Sequence, residues 1–137
     1  MRYTLIFCLL FFVSCFDTEE DEVYIPEDIK DIVGSWQLQA TKISPGGPVS
    51  EWTTVNNGPI YTFKSDYTFT LDKALNCNDN TLVGTFELKA GKLFLETFCN
   101  GSAYTPVYFI EFDFGKAIMQ YDGCIEECSY RYVYIGN

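Results

Sequence analysis

The sequence contains no histidine among its 137 residues. This absence excludes Ser-His-Asp and Cys-His nucleophilic catalysis and every metal site that depends on imidazole ligands. The chain also lacks a glycine-rich phosphate loop and the short motifs of common metal sites and activated nucleophiles. We therefore expect no catalytic residues, no metal site and no cofactor, and we predict that the protein is not an enzyme.

Positive charge is scarce, with nine Lys and Arg residues against 19 Asp and Glu, for a net charge of −10. A surface of this sign repels nucleic acid phosphates and anionic membranes, so we expect neither as a direct partner. The excess is uneven, because residues 17–31 hold eight of the acidic residues and a single base, Lys30. The acidity therefore belongs mostly to the N-terminal segment.

The one long apolar run is too short to span a membrane. It fills residues 1–14, where Arg2 precedes an apolar stretch, as in an export signal. The run stops at Ser14-Cys15, a pattern that resembles the bacterial lipobox. The resemblance implies that residues 1–14 are a lipoprotein signal peptide and that Cys15 becomes the acylated N-terminus. The alternative is an ordinary secretory signal followed by an incidental cysteine.

Residues 15–31 then form a lipid-anchored acidic linker, since runs of like charge stay solvated and extended. Acidic residues directly after the lipidated cysteine resemble the surface-export signals of Bacteroidota lipoproteins. A plain spacer would leave the domain on the periplasmic face. The expected location is the bacterial outer membrane, with the lipid anchor as the protein's only contact with the membrane, on either the periplasmic face or the cell surface.

Residues 32–137 are predicted to form one all-β domain. Apolar and polar residues alternate through Tyr61–Cys99, which is the period of half-buried antiparallel strands. Turn residues divide the domain into eight predicted strands: Gly34–Ile43, Ile60–Lys64, Tyr67–Leu71, Leu82–Leu88, Lys92–Phe98, Val107–Phe114, Ala117–Tyr121 and Tyr130–Ile135.

Three of the predicted connections are minimal and four are longer, and the two kinds alternate along the chain. An eight-stranded antiparallel up-and-down β-barrel then has a closed end with tight turns and an open end with long loops. Pro26–Val33 has the proline and acidic residues of a helix start, so a short N-terminal helical turn is expected before the first strand, where it would plug the closed end.

The segment Ile32–Leu38, "IVGSWQL", resembles the Gly-x-Trp opening of lipocalins. "YTFKSDYTFTL" followed by "GTFELKAGKLFLE" is similar to the small lipocalin-like lipoproteins of Bacteroidota. The resemblance implies a lipocalin-like β-barrel over residues 32–135. The "CN…GTF…L…C" pattern is also similar to META-type domains of bacterial envelopes, which stay as an alternative.

Four cysteines remain in the body of the chain if Cys15 is acylated, and an even number in an oxidising compartment favours disulfide bonds. Strand direction places all four at the open end and favours Cys77–Cys99 and Cys124–Cys128. A zinc site with four cysteine ligands is the rival interpretation, although the spacing is unusual for zinc.

Candidate ligand-binding residues are apolar and aromatic side chains predicted to face the interior or the open end. They are Trp52, Leu71, Leu95, Tyr104, Tyr108, Met119 and Tyr121. For the last strand the inward face is ambiguous, since either the tyrosines Tyr130, Tyr132 and Tyr134 or the aliphatic Val133 and Ile135 could point inward.

The predicted function is a non-catalytic envelope lipoprotein that binds a small hydrophobic ligand inside the barrel. The alternative is a filled barrel that serves as a structural module or inhibitor, and contacts a protein partner through its disulfide-bonded loops.

Overall fold

The computed structural model describes residues 27–44, 46–47, 51–74 and 77–137. The predicted signal peptide over residues 1–14, the predicted lipidation site Cys15 and the first part of the acidic linker lie outside these residues. The described residues form ten strands: β1 Gly34–Ser44, β2 Thr53–Thr54, β3 Ile60–Phe63, β4 Thr68–Asp72, β5 Thr81–Lys89, β6 Lys92–Cys99, β7 Ser102–Tyr104, β8 Val107–Asp113, β9 Lys116–Tyr121 and β10 Glu127–Gly136. The described part of the chain contains no helix with the length and apolarity needed to cross a membrane.

Eight of these strands close into a barrel. They follow the order β10-β9-β8-β6-β5-β4-β3-β1, and β1 also pairs with β10, so that the first and last strands meet. Every pairing is antiparallel, and closure leaves none of the eight strands as a long free edge. The predicted eight-stranded up-and-down barrel is confirmed. Strands β2 and β7 are short additions, not predicted, that pair with β1 and β6.

The closed end is built by the three tight connections. Ala90-Gly91 and Phe114-Gly115 both have positive φ at each position, with values of 51° and 73° and of 40° and 76°. Two-residue hairpins of this kind twist in the same sense as the strands they join. The connection between β3 and β4 ends at Tyr67, which also has a positive φ of 63°.

A single helical turn covers the closed end, as predicted. The amides of Ile32 and Val33 both donate to the Ile29 carbonyl, at 3.0 and 3.1 Å. Ile29 and Ile32 are fully buried in the core, and the Trp36 indole N–H donates to the Ile32 carbonyl at 2.8 Å. The sequence assigns residues 27–31 to the linker; in the structure they pack with the barrel because Ile29 is one of its core residues.

The Gly-x-Trp segment is fixed at this end by packing. Gly34 has a φ of 124°, and a Cβ at this position would collide with the Tyr134 ring. The Trp36 ring packs against Phe112 and Tyr134, with centroid separations of 5.7 and 5.2 Å. Only glycine fits both the backbone angle and the space, so the motif has a local structural reason.

The half of the barrel above the helical turn is filled by side chains. The buried members that lie on the barrel strands here are Phe63, Phe69, Phe86, Leu93, Leu95, Ile110, Ala117 and Met119. Their positions follow the predicted alternation, because successive side chains of a strand point to opposite faces.

Candidate functional site

A cavity of about 380 Å³ lies at the open end of the barrel. Five of the side chains that line it are tyrosines, and we call it the tyrosine cavity. Its lining residues are Leu38, Pro59, Tyr61, Leu71, Lys73, Ala74, Cys77, Leu82, Cys99, Tyr104, Tyr108, Tyr130 and Tyr132.

The tyrosines form a floor, a wall and a rim. Tyr61 and Tyr132 are 5% and 6% exposed and form the floor, with their ring centroids 5.6 Å apart. Tyr61 also stacks on Phe63 at 5.4 Å, which joins the floor to the packed half below. Tyr108 and Tyr130 are half-buried and pack edge to face at 6.3 Å, while Tyr104 is 41% exposed at the rim.

Alternation along the strands explains this placement. Tyr61 lies two residues before Phe63 on β3, so it shares the inward face with the core. On β10 the inward residues are Tyr130 and Tyr132, since Tyr132 is buried in the core and Tyr130 packs against it. The ambiguity left by the sequence is therefore settled in favour of the tyrosines.

Burial keeps these phenols neutral. Desolvation raises the pKa of Tyr61, Tyr108 and Tyr132 well above the ordinary value of 10.0, and neighbouring tyrosines add to the shift. Burial also raises the pKa of Tyr130, with smaller contributions from Tyr104 and Tyr121. A neutral phenol both donates and accepts hydrogen bonds, so the cavity offers several hydroxyl groups on an apolar wall.

The hydroxyl groups differ in their partners. The Tyr61 and Tyr104 hydroxyl groups lie close enough to the Tyr108 hydroxyl group for the three to influence one another's pKa. The Tyr132 hydroxyl, by contrast, has no hydrogen-bond partner among residues 27–44, 46–47, 51–74 and 77–137. A buried hydroxyl without a partner is costly, so Tyr132 is a free donor and acceptor at the cavity floor.

Both disulfide bonds expected from strand direction are present at the open end. Cys77–Cys99 joins the β4–β5 connection to the end of β6, with a Cα–Cα distance of 5.3 Å, and it forms part of the cavity wall. Cys124–Cys128 closes the β9–β10 hairpin, with a Cα–Cα distance of 5.9 Å. The described residues contain no cluster of acidic, cysteine or histidine side chains that would hold a metal ion.

The structure brings three of the seven predicted ligand-binding residues together. Leu71, Tyr104 and Tyr108 line the tyrosine cavity. Leu95 and Met119 face inward as expected, but they are buried in the packed half below it. They do not line the tyrosine cavity, because they belong to the core cluster that includes Phe63 and Phe69.

Tyr121 and Trp52 lie outside the cavity. The Tyr121 ring packs against Tyr108 at 5.6 Å and lines a neighbouring depression beside Cys124. Trp52 packs against Arg131, whose guanidinium carbon lies 4.1 Å from the Trp52 ring centroid. Since Tyr130 and Tyr132 face inward, Arg131 faces outward, and Trp52 lies on the outer wall of the barrel. Trp52 therefore does not line the tyrosine cavity, and its role in ligand binding stays a prediction.

Sequence reasoning missed Tyr61, Tyr132, Lys73 and the leucines of the wall. Tyr61 carried a usable signal, since it precedes Phe63 by two residues at the end of β3 that follows the long loop. Leu38 and Leu82 carried the same signal on β1 and β5. Lys73 carried no such signal in the sequence, because a single exposed lysine in a loop is common and does not indicate a binding site.

Comparison with known proteins agrees with this architecture. Residues 32–113, more than half of the chain, match the family model described as a lipocalin-like domain. A solved structure of a lipocalin-like protein from Bacteroides uniformis superposes with a TM-score of 0.55 at 14% sequence identity, over 77% of this chain and 99% of that one. A search of curated proteins finds no match.

The matched segment includes the Gly34–Trp36 motif and runs from the helical turn through β8. The barrel closure, the motif and the family match point the same way, and the chain belongs to the lipocalin-like domain family.

Proposed function

We propose that the protein is a non-catalytic, lipid-anchored lipoprotein of the bacterial outer membrane that binds one small hydrophobic molecule in the tyrosine cavity. The observation that carries the proposal is a cavity of about 380 Å³ above a lower half that is occupied by buried core side chains. This volume lies within the range of roughly 300–1,000 Å³ that is typical of small-molecule sites.

The lining suits an apolar molecule with at least one hydrogen-bonding group. Leu38, Leu71 and Leu82 offer apolar surface for the body of the ligand. The Tyr132 hydroxyl lacks a partner among the described residues, so a polar atom of the ligand would relieve the cost of its burial. Aromatic walls with a polar tip are well suited to such mixed ligands.

The experiment is a titration with N-phenyl-1-naphthylamine, an uncharged probe that fluoresces in apolar surroundings. Leu71→Trp places a larger side chain in the cavity and should abolish the fluorescence increase. Val83→Trp is the matched control, because Val83 lies on the adjacent strand β5 but is 65% exposed on the outer wall. Binding that survives Leu71→Trp would exclude the tyrosine cavity as the site.

The anchor is the second part of the proposal and depends on the sequence at Ser14-Cys15. Metabolic labelling with a fatty acid, followed by mass spectrometry of the N-terminal peptide, should find acyl chains on Cys15. Cys15→Ser should remove the label, whereas Cys8→Ser should leave it in place. An unmodified Cys15 on the mature protein would overturn the anchor.

A second candidate function is a module that contacts a protein partner through the disulfide-bonded loops. It is favoured by Ile125, which is fully exposed at the tip of the Cys124–Cys128 hairpin. A photo-crosslinking residue in place of Ile125 should then yield one discrete adduct in the native envelope, and none when placed at Lys89 on the closed end. This function requires no ligand in the tyrosine cavity.

A further inference from the structure

We infer that the ligand of the tyrosine cavity is an amphipathic anion, with its acidic group at Lys73 on the rim and its apolar body against the leucine wall. The inference rests on the proposed ligand-binding function and narrows the class of ligand.

The first observation is the charge of the cavity. The protein carries a net charge of −10, yet the described residues that line the tyrosine cavity include one lysine and no aspartate or glutamate. In a protein with this excess of acids, a lining that contains only a positive charge attracts anions where the rest of the surface repels them.

The second observation is the environment of the Lys73 ammonium. Its Nζ donates to the backbone carbonyl of Asn57 at 3.1 Å. The ion pairs in the described residues are Lys30–Glu27, Lys42–Glu127 and Lys92–Asp122, so Lys73 has no carboxylate partner there. An ammonium group has three N–H donors, and one carbonyl occupies only one of them.

The nearest acid in the sequence does not compensate for Lys73. Asp72 has the opposite parity to Leu71, which faces the cavity, so the Asp72 side chain points to the outer face of β4. Its carboxylate accepts a hydrogen bond from the Ile60 amide on β3. The lysine charge therefore stays available at the rim.

The third observation is the arrangement of the other polar groups. Tyr104 lies at the same rim as an exposed phenol, and a phenol hydroxyl group can donate a hydrogen bond to an anion. The apolar leucines lie on strands β1, β4 and β5. An anionic head at the rim and an apolar body inside satisfy both parts of the lining.

The test compares two probes that share one skeleton. 1-Anilinonaphthalene-8-sulfonate carries a sulfonate, and N-phenyl-1-naphthylamine is the same molecule without it. The purified protein and the variants Lys73→Gln, Lys73→Arg and Lys89→Gln are titrated with both probes. Lys89 is the matched control, since it lies on β5 at the closed end and opposite Lys92.

We expect Lys73→Gln to weaken binding of the sulfonate probe about tenfold, the loss of one charge-assisted hydrogen bond, and to change binding of the neutral probe less than about twofold. Lys73→Arg should restore the sulfonate affinity, and Lys89→Gln should have no effect. Raising the salt concentration should reduce the difference between the probes.

The outcomes separate the two proposals. If the neutral probe binds in the cavity but Lys73→Gln affects both probes equally or neither, the anionic class is wrong and the ligand-binding function stands. If neither probe binds, or if Leu71→Trp leaves both bound, the tyrosine cavity is not a ligand site and both proposals fail.

Discussion

The two ends of this barrel are built from the same eight strands but from different side chains. At the closed end, the inward residues are mainly Phe, Leu and Ile, and they form one buried cluster with Ile29, Ile32 and Trp36. At the open end, tyrosine is the commonest of the described lining residues, and these residues surround a cavity of about 380 Å³.

The comparison shows that one strand can contribute to both regions. On β3, Phe63 lies in the packed half and Tyr61 forms the cavity floor, only two residues apart. A tyrosine adds a hydroxyl group that needs a hydrogen-bonding partner, which an apolar core does not offer. The change from phenylalanine to tyrosine therefore marks the boundary between core and cavity, and the following predictions test that boundary.

The largest expected difference is in stability. Phe63→Ala should lower the free energy of unfolding by about 3–5 kcal/mol, because it leaves a cavity in the packed half. Tyr104→Ala at the exposed rim should lower it by less than about 1 kcal/mol. Urea unfolding followed by tryptophan fluorescence measures both. Equal losses would show that the rim is as tightly packed as the core.

The two disulfide bonds should contribute different amounts to the free energy of unfolding measured in the same experiment. Cys77–Cys99 closes 22 residues, and in the chain-entropy model replacing both cysteines by alanine should cost about 3 kcal/mol. Cys124–Cys128 closes only four residues, and its removal should cost about 2 kcal/mol. Because Cys77 and Cys99 also line the cavity, their replacement should weaken probe binding, whereas replacement of the hairpin pair should not. The reverse pattern would place the ligand at the β9–β10 hairpin.

Alkaline pH should lower the free energy of unfolding through the buried tyrosines of the open end. Burial raises the pKa of Tyr132 far above 10.0 in the folded protein, while the unfolded chain releases this proton near pH 10. Above that pH the unfolded state binds fewer protons than the folded state, so stability falls as pH rises, by about 1.4 kcal/mol per pH unit for each such phenol. Below pH 9 there should be no effect.

Tyr132→Phe removes one of these phenols. Between pH 10 and 11, it should therefore reduce the pH dependence of the free energy of unfolding by about 1.4 kcal/mol per pH unit. The control is Tyr134→Phe, since Tyr134 is an exposed tyrosine of the same strand, β10. Unfolding midpoints in urea at pH 8, 10 and 11 give the comparison. An unchanged slope in Tyr132→Phe would mean that this phenol ionises freely in the folded state.

The fold was largely predictable from alternation and turns. All eight barrel strands were expected, with ends that differ from the observed ones by a few residues at most. Strand β7 was missed although Asn100-Gly101 is a strong hairpin signal and both residues have positive φ, at 53° and 77°. The strand that follows this turn, Ser102–Tyr104, has only three residues, which is too short for alternation to indicate a strand.

The cavity was less predictable, because alternation gives the face of a residue but not its depth. Leu71 and Leu95 would be indistinguishable by parity alone, yet one lines the cavity and the other is buried below it. Depth depends on strand tilt and on which large side chains meet across the barrel, and these are properties of the closed structure. A long loop likewise does not specify the wall it folds against, as Trp52 shows.

The smallest expected effect concerns that loop. Trp52→Ala removes the contact with Arg131 on the outer wall and should lower stability by about 0.5–1 kcal/mol, the usual size of an exposed cation–π contact. It should leave the affinity for N-phenyl-1-naphthylamine unchanged, whereas Tyr108→Ala in the cavity wall should alter it. Fluorescence titration of both variants measures the two affinities. A large loss of affinity in Trp52→Ala would show that Trp52 and its loop are part of the binding site.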